Sequence, residues 1–341
     1  MNKLNNKNLI LGIIKGYDFE KIKPFVISLK KTGYKGDLCL FYSEINKKTC
    51  NILLQYGIRL IPFENGFSFI KNVVNINNNL SLQNYNRISI CFLRDILYYT
   101  YLQKHRRNYS NVMLTDVRDV IFQRDPFDFK YKKGLNCFLE DKRMKINTSP
   151  INSRWMVKAF DENILKEIGN NYISCAGIVI GSISDILNYL KKMLLYINQK
   201  NINECMDQAI HNYLIYSNQI EDIELFENEN GPVLTLGYKK KETIRFNEEY
   251  LILNNNGYVV NVLHQYNRHL ELTERLYKKY HIKFFPREKV LTRLLNFGRD
   301  SEYMERFGIH GINKIIEFLE RFGIKGAIRN KLLKKFKIHG Y

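Results

Sequence analysis

Two carboxylates three residues apart, Asp116 and Asp119, close the short apolar run Val112-Met113-Leu114-Thr115, and apolar residues resume at Val120. Carboxylates are seldom buried unless they are paired or bound to a metal. Acids at the carboxyl end of a strand in an α/β sheet stand where such sheets place their ligands. The pattern suits a divalent cation holding a phosphate-bearing substrate. The plainer alternative is a solvated turn in which Asp119 pairs with Arg118 or Arg124. Two further signals accompany the acids. Asp207-Gln208 opens a helical pattern that reaches Asn212, and His264 directly follows an apolar strand-like stretch. Imidazole and carboxylate side chains together suit Mn²⁺ or Mg²⁺.

The elements that must position these groups alternate through the first half of the chain. Asn8 to Ile14 reads as a strand, Phe19 to Lys31 as an amphipathic helix, and Asp37 to Tyr42 as a second strand. A helix over about Lys47 to Tyr56 precedes a strand at Ile58 to Pro62. This order predicts a mostly parallel sheet with right-handed crossovers, flanked by helices. Residues 63–84 are Asn-rich and read as a loop or lid, and Asn86 to Lys104 as a long helix carrying Arg87 and Arg94. These two arginines either meet a donor phosphate or pair with acids. Beyond the acidic strand come an extended segment at Gly134 to Glu140, a helix at about Arg154 to Ile168 and a strand at Ile173 to Ile180. Helices follow at Ser184 to Ile197 and Glu204 to Tyr216, then a hairpin turning at Asn254-Asn255-Asn256-Gly257.

With 341 residues, 45% of them hydrophobic and 13% aromatic, the chain has enough apolar material for a sizeable core rather than a disordered body. Its formal net charge of +19 calls for an anionic partner, and the excess is concentrated late in the chain. Residues 1–284 read as one α/β domain and 285–341 as a basic helical extension. In that extension Ile324, Ile328, Leu332, Leu333 and Phe336 recur at helical spacing among Lys325, Arg329, Lys331, Lys334, Lys335 and Lys337, with no acid. Such a helix suits an anionic membrane surface, or else docks on the protein's own core. The cysteines (Cys39, Cys50, Cys91, Cys137, Cys175 and Cys205) are scattered and read as small core residues rather than a disulfide frame or zinc site. The apolar run Leu9 to Ile14 is too short for a signal peptide or a membrane span. The expected location is cytoplasmic, with peripheral association at the inner face of the cytoplasmic membrane if the tail binds lipid.

The blocks at Asp116, Ser174 to Gly181, Asp207-Gln208 and His264 together resemble the GT-A fold glycosyltransferases of the nucleotide-diphospho-sugar transferase superfamily. The similarity is greatest to the glycogenin-like and bacterial galactosyltransferase-like retaining enzymes. The resemblance spans roughly Leu9 to Arg268. It implies that Asp116 is the first acid of a metal-binding Asp-x-Asp. Arg118 stands in the second acid's place and Asp119 follows it, so Asp119 is the candidate second ligand and His264 completes the set. Ser174-Cys175-Ala176-Gly177 resembles the strand that faces the transferred sugar, where small residues let a ligand approach the backbone; a tightly packed core strand is the competing reading. Asp207 and Gln208 resemble the pair beside the reaction centre, and a plain helix N-terminus is their alternative. Arg268 lies where a base could meet the diphosphate, although the family's His-x-x-Gly-x-x-Lys pattern is absent. Lys15 and Tyr17, just after the first strand, take a nucleotide-base position, with Arg118 nearby in the donor set.

The resulting expectation is a metal-dependent transfer of a hexose from a nucleotide donor, a UDP-sugar by preference, to a glycan or lipid-linked acceptor in surface polysaccharide synthesis. Retention of anomeric configuration comes from the resemblance alone. Neither G-x-x-x-x-G-K-[ST] nor G-x-G-x-x-G occurs, which argues against P-loop and dinucleotide functions. One alternative is a metal-dependent nuclease or nucleotidyltransferase, disfavoured because the basic tail is remote in sequence from the acids. The other is a non-catalytic adaptor of the same fold, kept open by Arg118 in an acid's place.

Overall fold

The computed structural model describes residues 7–64, 89–199 and 206–282. The chain divides into two compact units, Met1–Tyr266 with Leu276–Ile282, and Asn267–Arg275 with Lys283–Tyr341. In the second, the described residues are Asn267–Arg275, which include the start of a helix over Leu270–Lys279. Arg87, the Asn-rich stretch from residue 65 on and the basic tail lie outside the described residues.

The first unit opens as a β-α-β-α-β run: β1 (Leu9–Lys15), α1 (Phe19–Lys31), β2 (Asp37–Ser43), α2 (Lys47–Gln55) and β3 (Arg59–Pro62). Both helices start on a side-chain cap, since the Asp18 carboxylate accepts from the Lys21 N–H and the Asn46 amide oxygen from the Thr49 N–H. There follow α3 (Ile90–Lys104), β4 (Asn111–Thr115), β5 (Val120–Phe122) and β6 (Leu135–Leu139). Next come α4 (Pro150–Ala159), α5 (Glu162–Ile168), β7 (Ser174–Ser182), α6 (Ile183–Gln199) and α7 (Asp207–Tyr216). The last strands are β8 (Ile223–Phe226), β9 (Val233–Thr235), β10 (Arg245–Phe246), β11 (Ile252–Leu253) and β12 (Val262–His264).

Seven strands form the central sheet in the order β3-β2-β1-β4-β7-β6-β8. The pairings β1–β2, β2–β3, β1–β4 and β6–β8 are parallel, and only those of β7 are antiparallel, so the mostly parallel sheet is observed. Alternation along each strand splits the core in two. Leu9, Leu11, Cys39, Phe41, Val112 and Leu114 face α3, α6 and α7 through Phe92, Ile96, Leu190 and Ile210. Ile10, Ile14, Leu40 and Met113 face the other way, onto Ile22, Phe25, Val26 and Leu29 of α1. A second, three-stranded sheet in the order β5-β12-β9 packs its Val120, Phe122, Val233 and Val262 into that same cluster. The buried Ser28 hydroxyl joins the layers, donating to Phe25 O and accepting from the Phe122 N–H.

Two expectations need correction. The single helix over 154–168 is two helices, because Phe160 leaves the helical region (φ −127°, ψ −99°) and Asp161 restarts it by accepting from the Asn163 and Ile164 N–H groups. Cys91, in the first turn of α3 and outside the fully buried core, is disulfide-bonded, whereas Cys39, Cys50, Cys137 and Cys175 are free thiols. The hairpin expected at Gly257 is present: Gly257 has φ +80° and Leu253 bridges Val259. Among the described residues no helix is long and apolar enough to cross a membrane.

Candidate active site

The site begins with strand register. β4 ends at Thr115, and the Asp116 N–H donates to Gly177 O at 2.8 Å, which carries the β4–β7 ladder one residue beyond its last paired strand position. The buried Val117 then anchors a tight turn, and β5 begins at Val120. Because β5 runs antiparallel to β12 with Val120 opposite His264, Asp119 is delivered beside the imidazole. His264 Nε2 lies 3.5 Å from Asp116 Oδ2 and 3.9 Å from Asp119 Oδ1. One ligand atom from each of the three residues falls within 4.8 Å of the others.

Two observations test whether these residues fit a metal ion. His264 is 1% exposed, yet among the described residues its Nε2 makes only the long contacts to the two acids and no hydrogen bond, although buried polar atoms are nearly always satisfied. Opposite it, a Cβ on Gly177 would stand 2.6 Å from His264 Cε1, 2.9 Å from its Nε2 and 2.8 Å from Asp116 Oδ2. The missing side chain leaves the room that a small ligand would fill. One nitrogen and two carboxylates form a donor set that fits a hard-to-borderline divalent cation. Gly177→Ala is therefore expected to do two things. It will weaken Mn²⁺ binding, read by calorimetric titration, and it will lower stability by about 1–3 kcal/mol through overpacking. The His264 ring is wedged on its far side and Arg94 holds Asp116, so neither neighbour can retreat.

Arg94, projecting from α3, knits the acids together. Its Nη1 donates to Asp116 Oδ1 at 2.7 Å, and its Nη2 donates to Asp207 Oδ2 at 2.6 Å and to Ala176 O at 3.3 Å. Of the two readings open for Arg94, the structure shows pairing with acids. Burial works to raise the Asp116 carboxyl, but His264 and Arg94 prevail and hold it below the ordinary range. For Asp207 burial wins over Arg94, and its pKa is raised. Burial also opposes charge on His264, yet Cys175, Asp116 and Asp119 outweigh it, so the metal-free ring favours the imidazolium. A metal ion must displace that proton, so its affinity rises with pH.

Gln208, next along α7, is held by a polar chain of fixed direction. The hydroxyl of Ser149 accepts from both the N–H and the Nδ2 of Asn152 and faces the Tyr238 hydroxyl at 3.4 Å. Asn152 thus turns its Oδ1 outward to accept from Gln208 Nε2 at 2.7 Å, which fixes the orientation of the Gln208 amide. Asn212 locks α7 to β7 with bonds of 2.8 Å to both the N–H and the carbonyl of Ser174. Behind it, His211 sits between Ser174 and Tyr189, each at 2.9 Å; burial depresses its pKa to about 3, so it is a neutral core residue.

The structure thus brings Asp116, Asp119, His264, Gly177, Arg94 and Asp207 into one cluster, with Gln208 beside it. Tyr17 and Arg118 hydrogen-bond each other next to the two acids. Lys15 ends β1 and pairs with the exposed Glu44 at 3.1 Å. Arg268 belongs to the second unit. Sequence reasoning singles out no role for Asn152, Ser149, Tyr238 or Cys175. Only Cys175 carried a signal, since it precedes Gly177 by two residues on a strand and so shares its face.

No protein-family model and no curated protein sequence matches the chain. Solved structures similar to it include an active-site mutant of LgtC, with a TM-score of 0.48 and 12% identity over 82% of this chain and 99% of that one. Another is the galactosyltransferase LgtC in complex with donor and acceptor sugar analogs, with a TM-score of 0.45 and 12% identity over 83% of this chain and 99% of that one.

Proposed function

We propose that this protein is a metal-dependent GT-A glycosyltransferase that moves a hexose from a nucleotide-sugar donor, a UDP-sugar by preference, onto a glycan or lipid-linked acceptor. The observation that carries the reading is the convergence of Asp116, Asp119 and the buried His264 Nε2 at one end of the sheet, within reach of the Arg94–Asp207 pair. Asp116, Asp119 and His264 would hold Mn²⁺ or Mg²⁺, which when bound neutralises charge on a diphosphate leaving group.

The chain's own residues supply the rest. Gly177 offers bare backbone where a sugar must approach closely. Transfer builds positive charge at the anomeric carbon, and the oxygens of Asp207 and Gln208 stand in the cluster where such charge is stabilised. Burial raises the Asp207 pKa and Arg94 opposes that rise, so the guanidinium favours the charged form of this oxygen without overcoming burial. Tyr17 and Arg118 stand next to the acids and are assigned to the donor, and Lys15 at the end of β1 joins that set as the sequence proposed. Retention of configuration, a role in surface polysaccharide synthesis and a cytoplasmic or membrane-peripheral setting complete the reading.

Asp116→Ala tests it. Turnover of UDP-sugars in Mn²⁺ should fall below detection, and the Mn²⁺-dependent thermal shift with those sugars should vanish. The melting temperature of the free protein should move little, because Arg94 keeps Asp207 as a partner. Unchanged turnover would remove Asp116 from the reaction. A wild-type protein that binds metal but turns over no nucleotide sugar would favour the adaptor.

A further inference from the structure

The ring of His264 has a second nitrogen, and what that nitrogen touches decides which atom faces the acids. Nδ1 lies 3.5 Å from the sulfur of Cys175, a contact made inside the protein where Cys175 is 2% and His264 1% exposed. Cys175 and Gly177 sit two residues apart on β7 and so present the same face to the imidazole: one supplies a side chain against Nδ1, the other an empty space against Nε2. The backbone N–H of Gly177 bonds the same sulfur, which fixes the thiol in place.

A neutral imidazole carries one N–H and one lone pair. For Nε2 to offer its lone pair to a cation, the proton must reside on Nδ1, where among the described residues the neighbour placed to accept it is the Cys175 sulfur. In metal sites that second contact normally goes to a carboxylate, a carbonyl or water, and its loss costs 10–100-fold in affinity.

We propose that Cys175 is a positioning residue of the metal centre: its sulfur accepts the Nδ1–H of His264, and so sets the tautomer and the angle at which Nε2 faces Asp116 and Asp119. The thiol touches neither ion nor substrate. The proposal rests on the metal-site reading above, and the experiment separates the two.

Mn²⁺ binding to the full chain is measured by calorimetric titration for the wild type, Asp116→Ala, Cys175→Ala, Cys175→Val and Cys175→Ser, alongside the melting temperature of each without metal. Asp116→Ala reports on the site itself: if it binds Mn²⁺ as the wild type does, the metal reading fails whatever Cys175 does. With that control lost as expected, Cys175→Ala and Cys175→Val should bind Mn²⁺ about 10–100-fold more weakly. Cys175→Ser, whose hydroxyl can accept the same proton, should return to within about threefold. The valine variant fills the space of the thiol, so it serves if the alanine variant fails to fold. A core residue with no part in orientation would lower melting temperature in proportion to affinity, and serine would then rescue nothing. Wild-type affinity in Cys175→Val, or serine no better than valine, overturns the proposal.

Discussion

Arg94→Ala will cost the protein about 3 kcal/mol of stability and, on the function proposed above, its nucleotide-sugar turnover. Arg94 is 14% exposed in its side chain and bridges two carboxylates, Asp116 at 37% and Asp207 at 12%. Removing one partner from a buried ion network typically costs about 3–5 kcal/mol, because the remaining charges stay desolvated without compensation. Here two like charges would be left facing each other across one site. The low end applies because water still reaches Asp116. Arg94→Lys should recover little, since a single ammonium cannot fork onto two carboxylates and the Ala176 carbonyl at once. Denaturant unfolding of the three proteins decides it, and an alanine variant within about 0.5 kcal/mol of wild type would show that the bridge is not held in solution.

Asp95→Asn should make the protein more stable at pH 8 and leave it unchanged near pH 4. Asp95 is 4% exposed and among the described residues its Oδ2 has no hydrogen-bond partner, while its Oδ1 lies 3.8 Å from Arg94 Nε. Burial raises its pKa to about 7, with Arg94 opposing and Asp207 reinforcing the rise. An unfolded aspartate titrates near pH ~3.9. The folded state therefore binds this proton more tightly, so the group's contribution to stability is full below pH ~4 and is lost as pH climbs through about 7. Three pKa units set a ceiling of about 4 kcal/mol, and relaxation brings the expected gain nearer 1–3 kcal/mol. Groups with depressed values, Asp37 and Asp141 among them, act in the opposite sense at low pH and are common to both proteins. The difference between the two stability curves isolates Asp95. A flat difference from pH 4 to 8 would mean that the carboxyl is hydrated or fully paired.

Local patterns carry most of what the sequence revealed about the fold. The predicted span of α1 matches residue for residue, and β1, β2 and α2 are displaced by one residue at most, because alternation and caps act over a few neighbours. The break at Phe160 was hidden, since apolar spacing continues through it while the backbone does not. The antiparallel course of β7 was also hidden, because an apolar strand reads the same in either direction. The site was legible in its parts: Asp116, Asp119, Asp207 and His264 stand out as residue types at element ends. Their meeting depends on the pairing of Val120 with His264 across 144 positions of chain, which no local pattern encodes. Arg94 shows the remaining gap. Its position on a helix was readable, but its choice of Asp116 and Asp207 as partners depends on how α3 and α7 pack against the sheet.

The reversed course of β7 has a consequence for how this protein tolerates change. The chain passes the candidate site at Gly177 and leaves the strand at Ser182, five residues or roughly 17 Å away at about 3.4 Å per residue. Whatever is grafted at the Ser182–Ile183 junction, whether a longer connector or a fluorescent tag, sits at the opposite end of the β4–β7 ladder from Asp116 and Gly177. The Ile183 N–H donates to Ser110 O and the Ser182 hydroxyl accepts from the Asp185 N–H, so a graft there would strain the scaffold well away from the candidate site.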